Sequence, residues 1–271
     1  MNILVSLIIT TKNEAANIEA CLKSILDQDF PRGKLEIIVV DNHSTDQTRE
    51  IARKLTENVF SFGPERSAQR NFGTQKAYGK YVLYLDADMA LSKNVIRECM
   101  EKATQNPEII ALYIPEKILG NSFWCLARNF ERSFYDATPI DAVRFISREK
   151  FFEAGGFDEN LTGPEDWDFD KKIRQAGKTD IISAPLFHSE GDFSFEKYLE
   201  KKKYYARDFE KYISKWGKSD PDIQKQFGFR YRYFGVFLEN GKWKKLLQHP
   251  ILTIGMYFLR ILVGINYVFA K

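Results

Sequence analysis

Tyr81 to Leu85 form an unbroken apolar run that stops on two carboxylates one residue apart, Asp86 and Asp88. A run with no polar alternation suits a strand covered on both faces, as in a parallel sheet flanked by helices. Ligands of open α/β sheets bind beyond the carboxyl ends of the strands, so this spacing puts both acids at the mouth of such a site. Two hard oxygen donors there suit Mg2+ or Mn2+. A solvated turn carries the same residues, so the pair means little without its surroundings.

The preceding chain repeats the pattern. Residues 5–11 form a β-branched strand ending in Thr10, Thr11, Lys12, Asn13 and Glu14. Ile18, Cys21, Leu22, Ile25 and Leu26 then recur at helical spacing. A second buried strand, 35–40, ends in Asp41, Asn42, His43, Ser44, Thr45 and Asp46, where Ser44 or Thr45 can cap the next helix. A short strand at 58–62 and a helix at 66–78 lead into the strand that carries the acids. This βαβαβαβ order predicts a Rossmann-like, doubly wound, mostly parallel sheet flanked by helices, with the polar strand ends gathered at one crevice. Neither G-x-G-x-x-G after the first strand nor G-x-x-x-x-G-K-[ST] occurs, which disfavours a dinucleotide or P-loop site. A phosphate bound here needs a metal and side chains to neutralise it.

The 271 residues fit one large domain or a domain with an appendage, and the composition (44% hydrophobic, 28% charged) is that of a globular protein. The net charge of +3 divides unevenly. Residues 222–271 carry eight Lys/Arg against Asp222 and Glu239, leaving +6, so the rest is mildly acidic. Cys21, Cys99 and Cys125 match neither a disulfide framework nor a zinc site, and a reducing compartment is expected. The apolar start at 3–9 reads as a first strand rather than a signal peptide.

Later elements are expected at 92–105 (helix), 109–115 (strand), 142–147 (strand), 165–176 (helix) and 179–184 (strand), with 151–157 running into the Gly155-Gly156 turn. Residues 120–138, rich in aromatics and Arg, suit core packing or the wall of a binding site. Gly163-Pro164-Glu165-Asp166-Trp167-Asp168 reads as a capped helix start, or as the source of a general base toward an acceptor hydroxyl.

Taken together, SLIITTKNEAANIEACLKSIL, EIIVVDNHSTDQT, ERSAQRNFGTQKAYGKYVLYLDAD and GGFDENLTGPEDWDF resemble, in that order, the family 2 glycosyltransferases with the GT-A fold. The resemblance implies that Thr10, Asn13, Glu14 and Asp41 hold base and ribose, that Arg70 and Asn71 lie near the nucleotide, and that Asp86 touches ribose. It also implies that Asp88, with Asp86, carries a divalent metal. Asp166, the second acid of the Glu165-Asp166 pair, becomes the base, with Asp168 in reserve. His188 matches a histidine that ligates metal or diphosphate in many relatives. Each position has a plainer reading: Glu14 as a first-turn acid, Asp41 as an Asx-turn residue, Arg66 and Arg70 as a solvated helical face, His188 as a hydrogen-bonded structural residue. Lys201–Arg207 stands where processive synthases have Q-x-x-R-W; its absence argues against processive polymerisation.

Residues 1–217 are therefore expected to form the catalytic domain and 218–271 a basic, apolar helical extension. From Trp243 onward the chain is long and apolar enough to raise the question of spanning a bilayer, but Arg260 lies mid-stretch at a cost of ~2.5–3.5 kcal/mol. His249, Thr253, Arg260, Tyr267 and Lys271 share one helical face. That stripe, with Lys242, Lys244 and Lys245 before it, predicts an amphipathic helix lying in the membrane surface; a helix docked on the catalytic domain or a second subunit is the other reading.

The expected reaction is transfer, with inversion, from a UDP- or GDP-sugar to a glycan or lipid-linked acceptor in surface polysaccharide or glycoprotein assembly. The expected place is the inner face of the cell membrane, with no nucleic-acid partner. A polyprenyl-phosphate acceptor, a silent nucleotide-sugar-binding protein and a sugar-phosphate nucleotidyltransferase are the alternatives; the last would carry a glycine-rich loop that Thr10–Glu14 lacks.

Overall fold

Strands apolar on both faces need two covering layers, and this chain supplies them. A computed structural model describes residues 3–189 and 193–269. The first half runs β1 (Val5–Thr11), α1 (Ile18–Leu26), β2 (Leu35–Asp41), α2 (Thr48–Arg53), β3 (Val59–Ser61), α3 (Arg66–Lys76) and β4 (Tyr81–Asp86). Then follow β5 (Met89–Leu91), α4 (Val95–Gln105), β6 (Ile109–Tyr113), β7 (Glu116–Leu119), α5 (Phe123–Arg132), β8 (Phe145–Ser147) and α6 (Arg148–Glu153). Next are α7 (Glu165–Ala176), β9 (Lys178–Ile181), β10 (Leu186–Ser189), α8 (Phe195–Tyr205), α9 (Phe209–Trp216) and α10 (Pro221–Phe227). A π-helical turn at Tyr231–Gly235 leads to α11 (Val236–Leu238), α12 (Trp243–Gln248) and α13 (Pro250–Phe269).

Seven strands form the main sheet in the order β3-β2-β1-β4-β8-β6-β9. Every pair is parallel except those of β8, which runs antiparallel to β4 and β6. Alternate side chains of one strand enter different cores. Leu7, Ile9, Leu83 and Leu85 pack with Leu22 and Ile25 on one face, while Ile8, Val82 and Tyr84 meet Phe157 and Phe169 on the other. Each such side chain, fully buried, contributes ~1.5–3 kcal/mol.

The second half departs from the pattern read in the sequence. The strand expected at 109–115 ends at Tyr113, and β7 follows as a separate strand. The strand expected at 142–147 shrinks to Phe145–Ser147, residues 148–153 are helical, and the strand at 179–184 stops at Ile181. β10, which the sequence did not announce, joins antiparallel to β5 and parallel to β7 in a small second sheet. The aromatic stretch around α5 packs as core: Phe130, Phe134 and Tyr135 cluster with Val236, Phe237 and Met256.

α13 lies along α5. Met256 and Leu259 are fully buried, and a Cβ on Gly255 would sit 2.6 Å from the Phe123 ring. The expectation that Arg260 faces lipid headgroups is corrected here, because Arg260 points into the protein. It donates to Glu131 and to the Tyr135 hydroxyl, each at 2.5 Å, and to the Arg232 carbonyl, and it stacks over the Tyr233 and Phe237 rings. A buried guanidinium demands this much compensation. Tyr267's side chain and Lys271, also assigned to that stripe, lie outside the described residues. Among the described residues, no helix is long and apolar enough to cross a membrane.

Candidate active site

The crevice is laid out by strand register. Thr10 pairs with Asp86 across β1 and β4, and its hydroxyl donates to Asp86 Oδ1 at 2.7 Å. Beyond the strands, the loops after β1 and β2 are laced together. Asn13 adopts a left-handed backbone (φ 55°), which asparagine tolerates; its Oδ1 accepts from the Thr45 amide at 2.8 Å and its own amide donates to Ser44 Oγ at 2.8 Å. The Glu14 amide reaches Thr48 Oγ1 at 2.8 Å. Asp41 is fully buried and closes an Asx turn, accepting from the amide and hydroxyl of Ser44, with Arg49 at 3.7 Å. Ser44 therefore braces the loop, and Gln47 takes the N-cap position of α2 that Ser44 or Thr45 was expected to fill.

Two arginines four residues apart on α3 span the crevice floor. Arg70, 1% exposed, donates Nη2 to Asp86 Oδ1 at 3.2 Å and Nη1 to Asp166 Oδ1 at 2.5 Å. Arg66 stands 3.6 Å from Asp86 Oδ2 and 2.9 Å from Glu165 Oε1. Burial by itself would raise the Asp86 carboxyl, yet the charges of Arg70, Arg66 and Arg144 hold it well below the usual carboxylate range. Glu165 is shifted the other way: burial and then the neighbouring Asp166 raise it, outweighing the arginines. Glu14, partly buried near Asp88 and Asp86, is likewise raised, mainly by burial.

Asp166 keeps a third of its side chain exposed, and among the described residues no partner holds its Oδ2. Asp168 is fully buried instead, its Oδ1 accepting from the Trp216 indole at 2.8 Å with Lys215 at 2.8 Å and Lys172 at 3.0 Å from the carboxylate. It anchors α9 to α7. Asn71 turns away from the arginines: its amide brackets the backbone of Phe157 and reaches Glu159.

His188, on β10, pairs in register with Met89, beside Asp88. Its Nε2 lies 2.9 Å from Asp88 Oδ2 and its Nδ1 2.9 Å from Glu116 Oε1. Two carboxylates on two ring nitrogens suit the doubly protonated ring. Burial opposes that charge, but the two hydrogen bonds prevail and the pKa is raised. Glu116 in turn accepts from Arg132 at 2.7 Å and Arg144 at 3.1 Å. Sequence reasoning missed Glu116 and gave Arg66 no role in the site. Nothing in Pro115-Glu116-Lys117 marks the glutamate, because its partners arrive from β10, α5 and the segment before β8.

Whether a cation fits can be judged from Asp88. Its Oδ1 is buried, and among the described residues no hydrogen-bond donor reaches it, which suits a cation. Asp86, by contrast, spends its oxygens on Thr10, Arg70 and Arg66. Among the described residues, no three or more His, Cys, Asp and Glu side chains form a group able to hold an ion. The donors therefore fit an ion shared with ligand oxygens and water rather than one held by protein alone, the usual arrangement for Mg2+ with a phosphate substrate. Asp88 opens on a cleft of about 370 Å³ lined also by Glu14, Asn17, Arg128, Lys197 and Lys201, so cations face acids across it.

Known proteins resemble this chain in sequence and fold. A glycosyltransferase, AglE, of Haloferax volcanii is 40% identical over 91 residues, 31% of this chain and 30% of that protein. A GalNAc(5)-diNAcBac-PP-undecaprenol beta-1,3-glucosyltransferase of Campylobacter jejuni is 32% identical over 110 residues, 37% of this chain and 34% of that protein. The matches thus span about a third of each relative. The mannosyltransferase PcManGT of Pyrobaculum calidifontis, solved with GDP-Man and Mn2+, superposes with a TM-score of 0.63 at 22% identity, covering 98% of this chain and 80% of that one. At that identity the likeness establishes the fold, GT-A. Residues 6–157, more than half of the sequence and the part that carries Thr10, Asp41, Arg70, Asp86 and Asp88, match the profile of glycosyl transferase family 2; it is to this family that the chain belongs.

Proposed function

We propose that the protein transfers a sugar, with inversion, from a nucleoside diphosphate donor to a hydroxyl of a lipid-linked glycan acceptor at the inner face of the cell membrane. The observation that carries this reading is the Arg70 guanidinium, bonded on one side to Asp86 and on the other to Asp166. One guanidinium thus fixes the strand-end acid and the helix-start acid relative to each other, so that a donor held at the first can meet an acceptor held at the second.

In this reading Thr10, Asn13, Glu14 and Asp41 line the nucleoside end, Asp86 faces ribose, and Asn71 supports the neighbouring loop. Asp166 takes the acceptor's proton through Oδ2 while Arg70 holds Oδ1 and so orients the carboxylate. The acceptor oxygen bonds to the anomeric carbon from the face opposite the diphosphate, the carbon–phosphate oxygen bond breaks, and the nucleoside diphosphate leaves with the electron pair. Glu165, raised in pKa and held by Arg66, fixes the start of α7. A divalent ion bound at Asp88 would neutralise charge growing on the departing diphosphate; His188, expected from the sequence as a further ligand, instead has both ring nitrogens taken by Asp88 and Glu116 and positions the Asp88 carboxylate. The GDP-Man bound by the structural neighbour and the undecaprenol-linked substrate named for the Campylobacter relative favour a nucleoside-diphosphate sugar and a lipid-linked acceptor.

The test is titration calorimetry with UDP and GDP in Mn2+, paired with a transfer assay. Asp166→Asn should bind nucleotide as wild type does and lose transfer ~10²–10⁴-fold. Asp88→Asn should lose the Mn2+-dependent part of binding. Unimpaired transfer by Asp166→Asn, or wild-type binding in EDTA, rejects the assigned roles.

A further inference from the structure

Much of the outward face of α13 is left uncovered among the described residues, with Phe258 leaning on the Trp124 and Phe195 rings. Ile251, Ile254, Phe258, Ile261 and Ile265 are 70%, 72%, 50%, 53% and 50% exposed. Their steps of 3, 4, 3 and 4 put them on one side of the helix, over about 21 Å of its length. The opposite side, with Gly255, Met256, Leu259 and Arg260, is the one packed on α5 and the π-helical turn. The helix is thus apolar on the side it shows to solvent and holds its charge on the side it hides, the reverse of an ordinary surface helix. A contiguous apolar stripe of this kind marks an interaction surface.

We propose that this stripe, with the basic segment before it, seats the protein on a lipid surface bearing anionic headgroups, the helix lying flat and its isoleucines entering the acyl boundary. Charge selects this occupant. Residues 222–271 carry +6, or +5 without the buried Arg260, and Arg230 and Lys244 are exposed with no ionic partner among the described residues. Anionic headgroups complement that charge, whereas a second copy of this chain would bring the same sign against it. Leu247, 73% exposed, continues the apolar surface onto α12 toward Lys242, Lys244 and Lys245. The inference extends the lipid-linked acceptor reading but does not depend on the transfer chemistry.

The experiment is co-sedimentation of the full chain with vesicles of phosphatidylcholine alone or with 30% phosphatidylglycerol. Nucleotide binding and thermal unfolding are measured on the same preparations. The wild type sediments with the anionic vesicles, less so at 0.5 M salt. Ile254→Glu/Ile261→Glu lowers partitioning at least tenfold with nucleotide binding and unfolding unchanged. Lys244→Gln, which leaves the apolar face intact, lowers it about fivefold at low salt. Wild-type protein that stays in the supernatant with both vesicles overturns the proposal, as does a double variant that sediments like wild type. A dimer in size-exclusion chromatography that the double variant abolishes, without vesicle binding, assigns the face to a second copy. Nucleotide binding that survives any of these failures leaves the transferase reading standing, and its loss in the wild type removes that reading alone.

Discussion

Replacing Arg70 with methionine keeps the bulk of the side chain and removes the charge that Asp86 and Asp166 share. Arg70 is 1% exposed and makes two ion pairs, at 3.2 Å and 2.5 Å. Breaking one buried pair from one side costs ~3–5 kcal/mol because a charge is left uncompensated. The two losses do not simply double: Asp86 keeps Arg66 at 3.6 Å, and Asp166 is a third exposed to water. A destabilisation of ~3–5 kcal/mol at pH 7 is therefore expected, a large part of a typical domain's total.

The pH dependence gives the sharper test. In the wild type the Asp86 carboxyl is held well below its ordinary 3.8. A depressed folded-state pKa contributes stability that is present above the unfolded value and lost as pH falls through the folded value. In Arg70→Met the main support is gone and burial dominates, so protonation relieves the variant where it weakens the wild type. Urea unfolding followed by tryptophan fluorescence should show the gap between the two proteins widest near neutrality and narrowing as pH falls, first above the ordinary 3.8 as the variant's raised carboxyl protonates and then below about pH 4 as the wild type weakens. A gap under ~1 kcal/mol at pH 7, or one constant down to the acid limit, would refute the shared-charge account.

Two further substitutions probe the scaffold. Gly163 has φ 105°, and a Cβ there would lie 2.0 Å from the Tyr205 carbonyl oxygen; Gly163→Ala should push the end of α8 off the loop that leads to Asp166. Steady-state kinetics should show kcat falling at least tenfold with donor KM within about twofold, and an unchanged kcat would show the contact to be idle. Arg260→Met should cost ~3–5 kcal/mol by stranding the buried Glu131 carboxylate, and adding Glu131→Gln should recover most of it. Additive losses in that double-mutant cycle would mean the pair is not coupled.

Much of this was written in the sequence, and the divide has physical causes. β1, β2 and β4 could be read nearly to the residue because long apolar runs ending in hydroxyls and acids admit few other structures. Asp86 and Asp88 stood out as the end of such a run, whereas the Glu165-Asp166 pair was picked out by the family resemblance. β5, β7 and β10 span three or four residues each, too few for a period to show, so the small sheet that orients His188 went unread and Glu116 with it. The tail taught something different: spacing grouped Arg260 with one face of α13, but periodicity does not say which way a face points. Glu131, 129 residues earlier, decides that.

α5 sets Arg128 in the cleft wall beside Asp88 and, three residues on, Glu131 against Arg260 of the outer helix. Those contacts are separated by about 4.5 Å of helical rise, with no joint between them. On the lipid surface proposed above, a tilt of α13 would be passed along α5 to the cleft wall, and the height of the cleft above that surface would be set by a rigid rod rather than by the length of a tether. An acceptor presented from the proposed surface would then have one standoff distance at which to react.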